Sequence, residues 1–189
     1  MSNYDLDQNP LHRLRRMELA CDDDWITNFL SHAQVGYVAT RWDEQPFITP
    51  TTFWYDPERH QIYFHSAPLG RLRANIERHS SVCFSASQAG RLLPSNVALE
   101  FSIQYESVVV FGHARLLRQH EDKRRALYGL IQKYFPDMRP GEQYRPITDA
   151  ELKRTAVYTI EITSWSGKRN WPDRAEQSSE WPQLPDNGI

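Results

Sequence analysis

The feature that most constrains the fold is a change in hydrophobic period between residues 61 and 78. Up to Ser66 the side chains alternate with the two-residue period of a half-buried strand. The alternating residues are Ile62, Tyr63, Phe64 and His65. Beyond them, apolar residues recur at helical spacing, at Leu69, Leu72 and Ile76. We therefore expect a strand over residues 61–66 to run into a helix over residues 69–78, with Pro68 in the first helical turn.

This strand–helix junction has the chemistry of an anion site. Free N–H groups and the positive end of the helix dipole would meet the guanidinium of Arg71 at one point. Gly70 lets another group approach the backbone there. A phosphate has the several acceptor oxygens that such a point can satisfy. The segment by itself is equally compatible with a capped helix start and a solvated arginine.

Length and composition predict one globular domain between two tails. The chain has 189 residues, of which 40% are hydrophobic, and this is enough for one full-sized core. We expect an N-terminal arm over residues 1–21, a domain over residues 22–171 and a polar C-terminal tail over residues 172–189. No apolar run is long enough to cross a bilayer, and a formal charge of −2 favours neither nucleic acid nor an anionic membrane as a partner.

Targeting and cysteine usage indicate a cytoplasmic protein. The first ten residues lack the apolar segment of a secretory signal. Cys83 lies in an apolar run and Cys21 precedes a helix start, so we do not expect a disulfide between them. The chain has no Cys-x-x-Cys or His-Glu-x-x-His motif, and we expect no metal site.

The order of elements predicts an α+β fold with a mostly antiparallel sheet of about six strands and flanking helices. Helices are expected near residues 25–33, 69–78 and 121–134, and a Thr148–Glu151 capping box predicts a fourth. The expected strands span residues 35–40, 47–55, 61–66, 82–87, 102–117 and 156–163. Residues 89–94 are expected to form a loop, and Gly112 is a candidate β-bulge.

Five segments in this order resemble the FMN-binding split barrel of the pyridoxamine 5'-phosphate oxidase superfamily. They are Val35–Thr40, Pro46–Phe53, Tyr63–Arg71, Ser107–Leu116 and Trp165–Asn170. The His65-Ser66-Ala67 strand end, followed by Gly70-Arg71, is most similar to the nitroimidazole-resistance-like branch. The resemblance covers about residues 22–171. It implies a six-stranded split β-barrel and a homodimer with FMN in grooves between the two subunits.

The resemblance also implies which residues contact FMN. One strand would run along the flavin, chiefly through its backbone, and the strand–helix junction would hold the phosphate. The matching positions are Thr49, Pro50, Thr51, Thr52, His65, Ser66, Arg71, Leu72, Ser107, Trp165 and Lys168. It identifies no catalytic residue.

Local chemistry supports these positions unequally. Arg71 and Ser66 have groups that bind phosphate oxygens. Pro50 within a strand indicates a sheet edge, which an ordinary edge strand explains as well as a ligand does. His65 and Ser66 should leave opposite strand faces, and a lone histidine is commonly structural. Ser107 is equally compatible with an ordinary serine at a strand end, and Lys168 with a solvated charge, so neither needs a ligand.

The function implied by the resemblance is an FMN-dependent oxidoreductase that reduces a small planar acceptor such as a nitro compound or a quinone. The C-terminal sequence Gly167-Lys168-Arg169-Asn170 lacks the arginine and histidine arrangement with which the oxidase itself grips pyridoxal phosphate, which argues against that substrate. Two alternatives stay open: a flavin-binding module for storage, sensing or electron transfer without efficient turnover, and a haem-binding split barrel.

Overall fold

The computed structural model describes residues 13–185, which form one antiparallel sheet with helices packed on it. The helices are α1 (Asp23–His32), α2 (Arg71–Arg78), α3 (His120–Tyr134) and α4 (Asp149–Lys153). The strands are β1 (Ala20–Cys21), β2 (Gly36–Trp42), β3 (Gln45–Thr51), β4 (Trp54–Asp56), β5 (Gln61–Ser66), β6 (Ser81–Leu93), β7 (Ser102–Leu116) and β8 (Ala156–Asn170). Residues 1–12 of the predicted arm over residues 1–21, and residues 186–189 of the predicted tail over residues 172–189, lie outside the described part of the chain.

The strand order along the sheet is β3-β2-β6-β7-β8-β5-β4, and β1 pairs with β8 beside this path. Each of these pairs is antiparallel. Within residues 13–185, β3 and β4 end the path without pairing to each other, so the sheet is not closed. This confirms the predicted α+β split-barrel class.

The sheet has eight strands rather than the predicted six. The run expected as one strand over residues 47–55 breaks at Thr52 and Phe53, and the chain resumes in β4 next to β5 instead of continuing beside β2. The ring of Phe53 is fully buried at this break, against the ring of Phe84. Burial of a large aromatic side chain outweighs the few ladder hydrogen bonds that an uninterrupted strand would add.

The main core lies on one face of the sheet, beneath α1 and α2, and a second, smaller buried cluster lies between α3 and the other face of β5 and β8, with Tyr63, Ala126 and Val157. Ile26, Phe29 and Leu30 from α1 and Leu72 and Ile76 from α2 meet the inward side chains of the strands in the main core. Helix α1 begins at Asp23, two residues before the expected range, because the Asp22 side chain caps it by accepting a hydrogen bond of 2.8 Å from the Trp25 N–H. Because successive side chains of a strand point to opposite faces of the sheet, each strand residue faces either the main core or the opposite side.

Strands β6 and β7 form a longer hairpin than the sequence predicts. Residues 89–94 were expected to form a loop, but β6 continues to Leu93 with a register shift between Ala89 and Leu92. The long partner strand β7 supplies ladder bonds at this end, which local composition does not report. The irregularity predicted at Gly112 is confirmed by a register shift between Phe111 and Gly112.

The tail after residue 171 lies on this hairpin. Gln104 Nε2 donates to the Pro172 carbonyl at 2.8 Å, and Ser95 Oγ donates to the Glu176 carbonyl at 2.6 Å. Asn96 Nδ2 donates to the Ser178 carbonyl at 2.9 Å, and Asn96 Oδ1 accepts from the Ser178 N–H at 2.8 Å. Side-chain amide and hydroxyl groups bonded to main-chain groups thus fix this polar segment.

Within residues 13–185 no helix is long and apolar enough to span a membrane, and no group of three or more histidine, cysteine or acidic side chains could hold a metal ion. Cys21 and Cys83 are both free, half-buried thiols.

Candidate functional site

Helix α2 begins without a side-chain cap. Gly70 occupies the N-cap position with φ 153° and ψ 172°, a conformation that is essentially confined to glycine. The first helical bond joins the Ala74 N–H to the Gly70 carbonyl. The N–H groups of Arg71, Leu72 and Arg73 precede that bond and have no partner among the described residues. Three adjacent donors at the positive end of a helix are therefore available to an anion.

Helix α2 starts at Arg71 rather than at residue 69, so Pro68 lies in the turn before it. Leu69, expected on the apolar helix face, is 83% exposed. The pairing of β5 with β8 ends at Ser66, and residues 67–70 are needed to redirect the chain. The predicted junction is present, and the turn within it is longer than the sequence indicated.

Arg71 is exposed and makes no ion pair or hydrogen bond with another described residue. Its guanidinium lies 5.1 Å from the ring centroid of Trp42 and 5.6 Å from that of Phe47. The neighbouring Arg73 is fully engaged, because Nε donates to Glu77 at 2.8 Å and one terminal nitrogen donates to the Pro68 carbonyl at 2.7 Å. Of these two arginines, Arg71 is the one free to form a bidentate bond to a phosphate.

Ser66 and His65 differ in availability. Ser66 Oγ donates to the Ala67 carbonyl at 2.9 Å and lies 3.2 Å from the Tyr158 hydroxyl. His65 is exposed and has no hydrogen bond or ring contact within residues 13–185. Desolvation by neighbouring protein atoms lowers the pKa of its imidazole, which favours the neutral ring. His65 is thus an unoccupied neutral donor or acceptor at the end of β5.

Three of the predicted positions, Thr49, Pro50 and Thr51, lie in β3 and divide between two faces. Thr49 and Thr51 pair with Val38 and Gly36 on the core side and are half-buried, whereas Pro50 is exposed opposite Tyr37. Thr52 follows the last residue of β3, and its carbonyl accepts from Thr51 Oγ1 at 3.0 Å. Strand β3 is an edge strand, as Pro50 indicated, so half of its backbone groups face away from β2.

Helix α3 covers the face opposite the main core at β5 and at the start of β8, and no helix of the described residues covers the rest of that face. We call this uncovered part the outer face and define it by cross-strand partners on β2, β3, β6, β7 and β8. Its members are Tyr37, Ala39, Ile48, Pro50, Cys83, Ser85, Ser107, Val109, Phe111, Ser166 and Lys168. Ile48 is 69% exposed and Tyr37 is 43% exposed. A two-sided strand such as β7, with Val108 and Val110 on the core side and Val109 and Phe111 opposite them, normally has protein on both faces.

Ser107 and Lys168 lie directly across from each other on the outer face. Lys168 Nζ lies 5.2 Å from the ring centroid of Tyr105. Both side chains are half-buried. The structure therefore brings two of the predicted residues together, on the same face as Pro50.

Trp165 and Leu72 lie on the core side instead. Trp165 pairs with Val110, and its indole N–H donates to Asp23 Oδ1 at 2.7 Å. Its ring packs 4.5 Å from the ring centroid of His60 and 5.6 Å from that of Tyr55. Leu72 is 9% exposed within the core, so its backbone N–H is the part of the residue left free for a ligand. Single-sequence matching cannot detect this, because both residues fit the family pattern by position.

Two aromatic residues beside Arg71 were not predicted. Trp42 and Phe47 flank the turn between β2 and β3, and both rings lie against the Arg71 guanidinium. Two large aromatic residues next to a short polar turn are only a weak sequence signal, because an aromatic ring at a strand end can serve as a cation–π partner. Without the fold, nothing connects that turn to the start of α2.

The comparisons with known proteins agree with this architecture. The pyridoxamine 5'-phosphate oxidase family model matches residues 22–169, and the chain belongs to that family. No curated protein matches the chain. Among solved structures, the flavocytochrome Anf3 from Azotobacter vinelandii is 26% identical, with a TM-score of 0.78 over 89% of this chain and 77% of that one.

Two further structures share the fold at lower identity. The FAD and haem binding protein from Mycobacterium smegmatis is 21% identical, with a TM-score of 0.71 over 82% of this chain and 75% of its own. A protein from Bacteroides thetaiotaomicron described as a 5-nitroimidazole antibiotic resistance protein is also 21% identical, with a TM-score of 0.66 over 79% of this chain and 86% of its own. The predicted relation to the split-barrel superfamily is thereby confirmed.

Proposed function

We propose that this member of the pyridoxamine 5'-phosphate oxidase family is a homodimeric FMN-binding flavoprotein. We further propose that it is an oxidoreductase whose flavin, held between two subunits, reduces a small planar acceptor such as a nitro compound or a quinone. The observation that carries the proposal is the unpaired Arg71 beside the uncapped start of α2. We also propose a cytoplasmic location for the protein, with which its two free cysteines are compatible.

The phosphate end of the flavin fits the start of α2. A phosphate dianion needs several donors and a positive charge, and the free N–H groups of residues 71–73 and the Arg71 guanidinium supply both. The first turn of α2 contains no acidic residue that would repel it. Leu72 would take part through its backbone N–H. Ser66 would take part through its hydroxyl, which would turn from its present partners, the Ala67 carbonyl and the Tyr158 hydroxyl, to donate to a phosphate oxygen.

The flat ring of the flavin fits the boundary between β3 and the outer face. Alternate residues among Thr49, Pro50 and Thr51 offer backbone groups at the free edge of β3, and Thr52 continues the segment beyond the strand. A second subunit on the outer face would cover Ile48 and the side chains near Ser107 and Lys168. A ring held between two subunits would be shielded from water and still open to a small substrate at one edge.

In such a site the flavin supplies the redox chemistry when bound, and the protein supplies binding, orientation and electrostatics. Arg71 and the α2 start would fix the phosphate, and the outer face would restrict the acceptor to a flat molecule. Trp165 would act indirectly, because its bond to Asp23 holds β8 against α1. No side chain is assigned a catalytic role.

Haem is a second candidate ligand, favoured by the free imidazole of His65. A neutral imidazole is the form that binds iron, and the 26% identical Azotobacter protein is a flavocytochrome. An absorption spectrum separates the two candidates, since haem gives an intense Soret band that flavin lacks. FAD is the alternative flavin, and mass spectrometry of the released cofactor distinguishes it from FMN.

The direct test is the spectrum of the purified protein together with titrations of the cofactor-free protein. We expect flavin absorption bands, and we expect riboflavin to bind at least tenfold more weakly than FMN because it lacks the phosphate. A colourless protein that does not quench FMN fluorescence would overturn the proposal. Rapid reduction of the bound flavin by NAD(P)H distinguishes an oxidoreductase from a binding module without turnover.

Ile48→Glu tests the dimer. Ile48 is mostly exposed in the single chain, so the substitution should spare folding while placing a charge in the proposed interface. We expect light scattering to show a monomer and FMN binding to weaken with it. Leu99→Glu is the matched control, because Leu99 is 92% exposed on the connection between β6 and β7, outside the outer face. A dimer that persists in Ile48→Glu would contradict this arrangement.

A further inference from the structure

An aromatic and cationic surface lies next to the proposed phosphate site. We call it the Trp42 platform and define it as Trp42, Phe47, Arg71 and Arg78. The Trp42 ring centroid lies 5.1 Å from the Arg71 guanidinium and 4.7 Å from that of Arg78. Arg71 also contacts Phe47, at 5.6 Å. Trp42 remains 37% exposed although two guanidinium groups lie against its ring.

The two arginines of the platform differ in charge balance. Arg78 donates to Asp43 Oδ1 at 2.7 Å, and this ion pair holds the pKa of the Asp43 carboxyl below its usual value. Arg71 has no carboxylate partner within residues 13–185. One guanidinium therefore serves to hold the platform together, and the other retains its positive charge for a ligand.

This combination exceeds what the phosphate of FMN requires. A single phosphate needs the donors at the start of α2 and Arg71, and it gains nothing from an exposed indole. Purine rings stack on indole rings and on the planes of guanidinium groups. A ligand with a phosphate at Arg71 and a purine one ribose away would use the whole platform.

We propose that the Trp42 platform binds the adenosine phosphate part of a dinucleotide. The adenine would stack on the platform, and the phosphate attached to its ribose would share Arg71 with the flavin phosphate site. Two sources have this chemistry: FAD, in which the adenosine is joined to the flavin phosphate, and a pyridine dinucleotide that reduces the flavin. The inference rests on the proposed flavin site, because Arg71 belongs to both.

Titrations on Trp42→Ala test the proposal. The matched control is Trp181→Ala, because Trp181 is an exposed tryptophan on the C-terminal tail. The probes are FMN, FAD and riboflavin with the cofactor-free protein, and ADP and NADPH with the FMN-loaded protein. Loss of one base–aromatic stack corresponds to roughly a fivefold to 150-fold weaker affinity.

If FAD is the source, Trp42→Ala weakens FAD by this factor and leaves FMN and riboflavin unchanged. If a pyridine dinucleotide is the source, the variant lowers the affinity for ADP and NADPH instead. FMN, FAD and riboflavin then bind to the variant as they do to the unmodified protein. Trp42→Phe should recover most of the affinity, since it keeps an aromatic face. Thermal melts verify folding.

Two results would overturn the inference: unchanged affinity for FAD, ADP and NADPH in Trp42→Ala, or an equal loss for riboflavin and FAD, which would mark a structural role for Trp42. Failure of the flavin site itself looks different, because the unmodified protein would then bind neither FMN nor riboflavin.

Discussion

Helices α4 and α2 begin in opposite ways. At α4, Thr148 Oγ1 accepts from the Glu151 N–H, and Glu151 Oε2 accepts from the Thr148 N–H, so the first turn satisfies itself. Two acidic residues, Asp149 and Glu151, complement the helix dipole there. At α2 the N-cap is Gly70, the first turn has no acidic residue, and Arg71 stands at the positive end of the dipole.

The contrast separates a helix start built for stability from one suited to binding. A positive charge at a helix N-terminus is unfavourable by itself, and an anion bound beside it reverses the sign of that interaction. Helix α2 nevertheless forms, because Leu72 and Ile76 are buried in the core. Packing thus stabilises the helix while its first turn remains free for a ligand.

The largest expected effect is at Arg71. Arg71→Ala should weaken FMN binding by about 1.5–3 kcal/mol, or roughly tenfold to a hundredfold, because a charged hydrogen bond to phosphate is lost. Riboflavin should bind as before. Arg71→Lys should lose less, since it keeps the charge without the bidentate fork. Fluorescence-quenching titrations measure each affinity.

Arg145→Ala is the matched control, because Arg145 serves the closed helix start by donating to Glu151 at 2.7 Å. It should leave FMN affinity unchanged. An equal loss for FMN and riboflavin in a folded Arg71→Ala protein would remove Arg71 from the phosphate site.

The next effect is at Gly70. Gly70→Ala should lower the free energy of unfolding by about 1–3 kcal/mol, because the φ of 153° is strained for any residue with a Cβ atom. A Cβ added there meets no atom within 4 Å, so the loss would come from the backbone and not from a clash. Relaxation of the strain would also redirect the N–H groups of α2 and weaken FMN binding. Urea denaturation and FMN titration measure the two effects.

Gly141→Ala provides the comparison, since Gly141 also has a positive φ, 87°, and open space around it, in the segment between α3 and α4. It should lose stability without losing FMN affinity. If both variants bind FMN as the unmodified protein does, the geometry of the α2 start is not part of the site.

A smaller effect is expected at the closed helix start. Thr148→Ala should lower the free energy of unfolding by about 1 kcal/mol, the usual cost of removing a threonine cap. The loss should reach the whole domain because Leu152, one turn further along α4, is fully buried. FMN affinity should not change. Urea denaturation monitored by tryptophan fluorescence is the measurement, and a loss of FMN binding would show that the two helix starts are coupled.

The smallest effect is a pH dependence confined to α4. Hydrogen bonds from Arg145 and Thr148 lower the pKa of Glu151 to about 2. Because the unfolded chain takes up this proton near pH 4.5, the cap's contribution is complete above that pH and is lost as the pH falls toward 2. In urea denaturation at each pH, Glu151→Gln should remove this part of the acid dependence. An unchanged profile would mean that the ion pair does not contribute in solution.

The sequence predicted the parts of the fold that depend on near neighbours. The change of period at Ser66 placed the junction of β5 with α2, the Thr148–Glu151 spacing placed a helix start, and Pro50 marked an edge strand. Each of these signals is written within a few residues, where backbone geometry alone constrains the choice. The α+β class followed from the order of such segments.

The proposed site rests on sequence signals of the same short range. Arg71 has both the residue type and the local setting of a phosphate ligand, whereas the resemblance alone brought in Ser107, Trp165 and Lys168. The structure places Ser107 and Lys168 side by side on the outer face and Trp165 on the core face. Those positions depend on the register between β7 and β8, and the sequence of one strand does not by itself specify that register.

By itself, then, the sequence determined the α+β class, the junction of a strand with α2, the capping box that opens α4, and that Arg71 follows a strand end. The tertiary structure alone decided that Arg71 remains without a carboxylate partner, that Trp42 and Phe47 lie against it, and that β7 presents Val109 and Phe111 on an uncovered face. The physical reason is range. Periodicity and capping act between residues at most four positions apart, while packing and strand register join residues far apart in the chain.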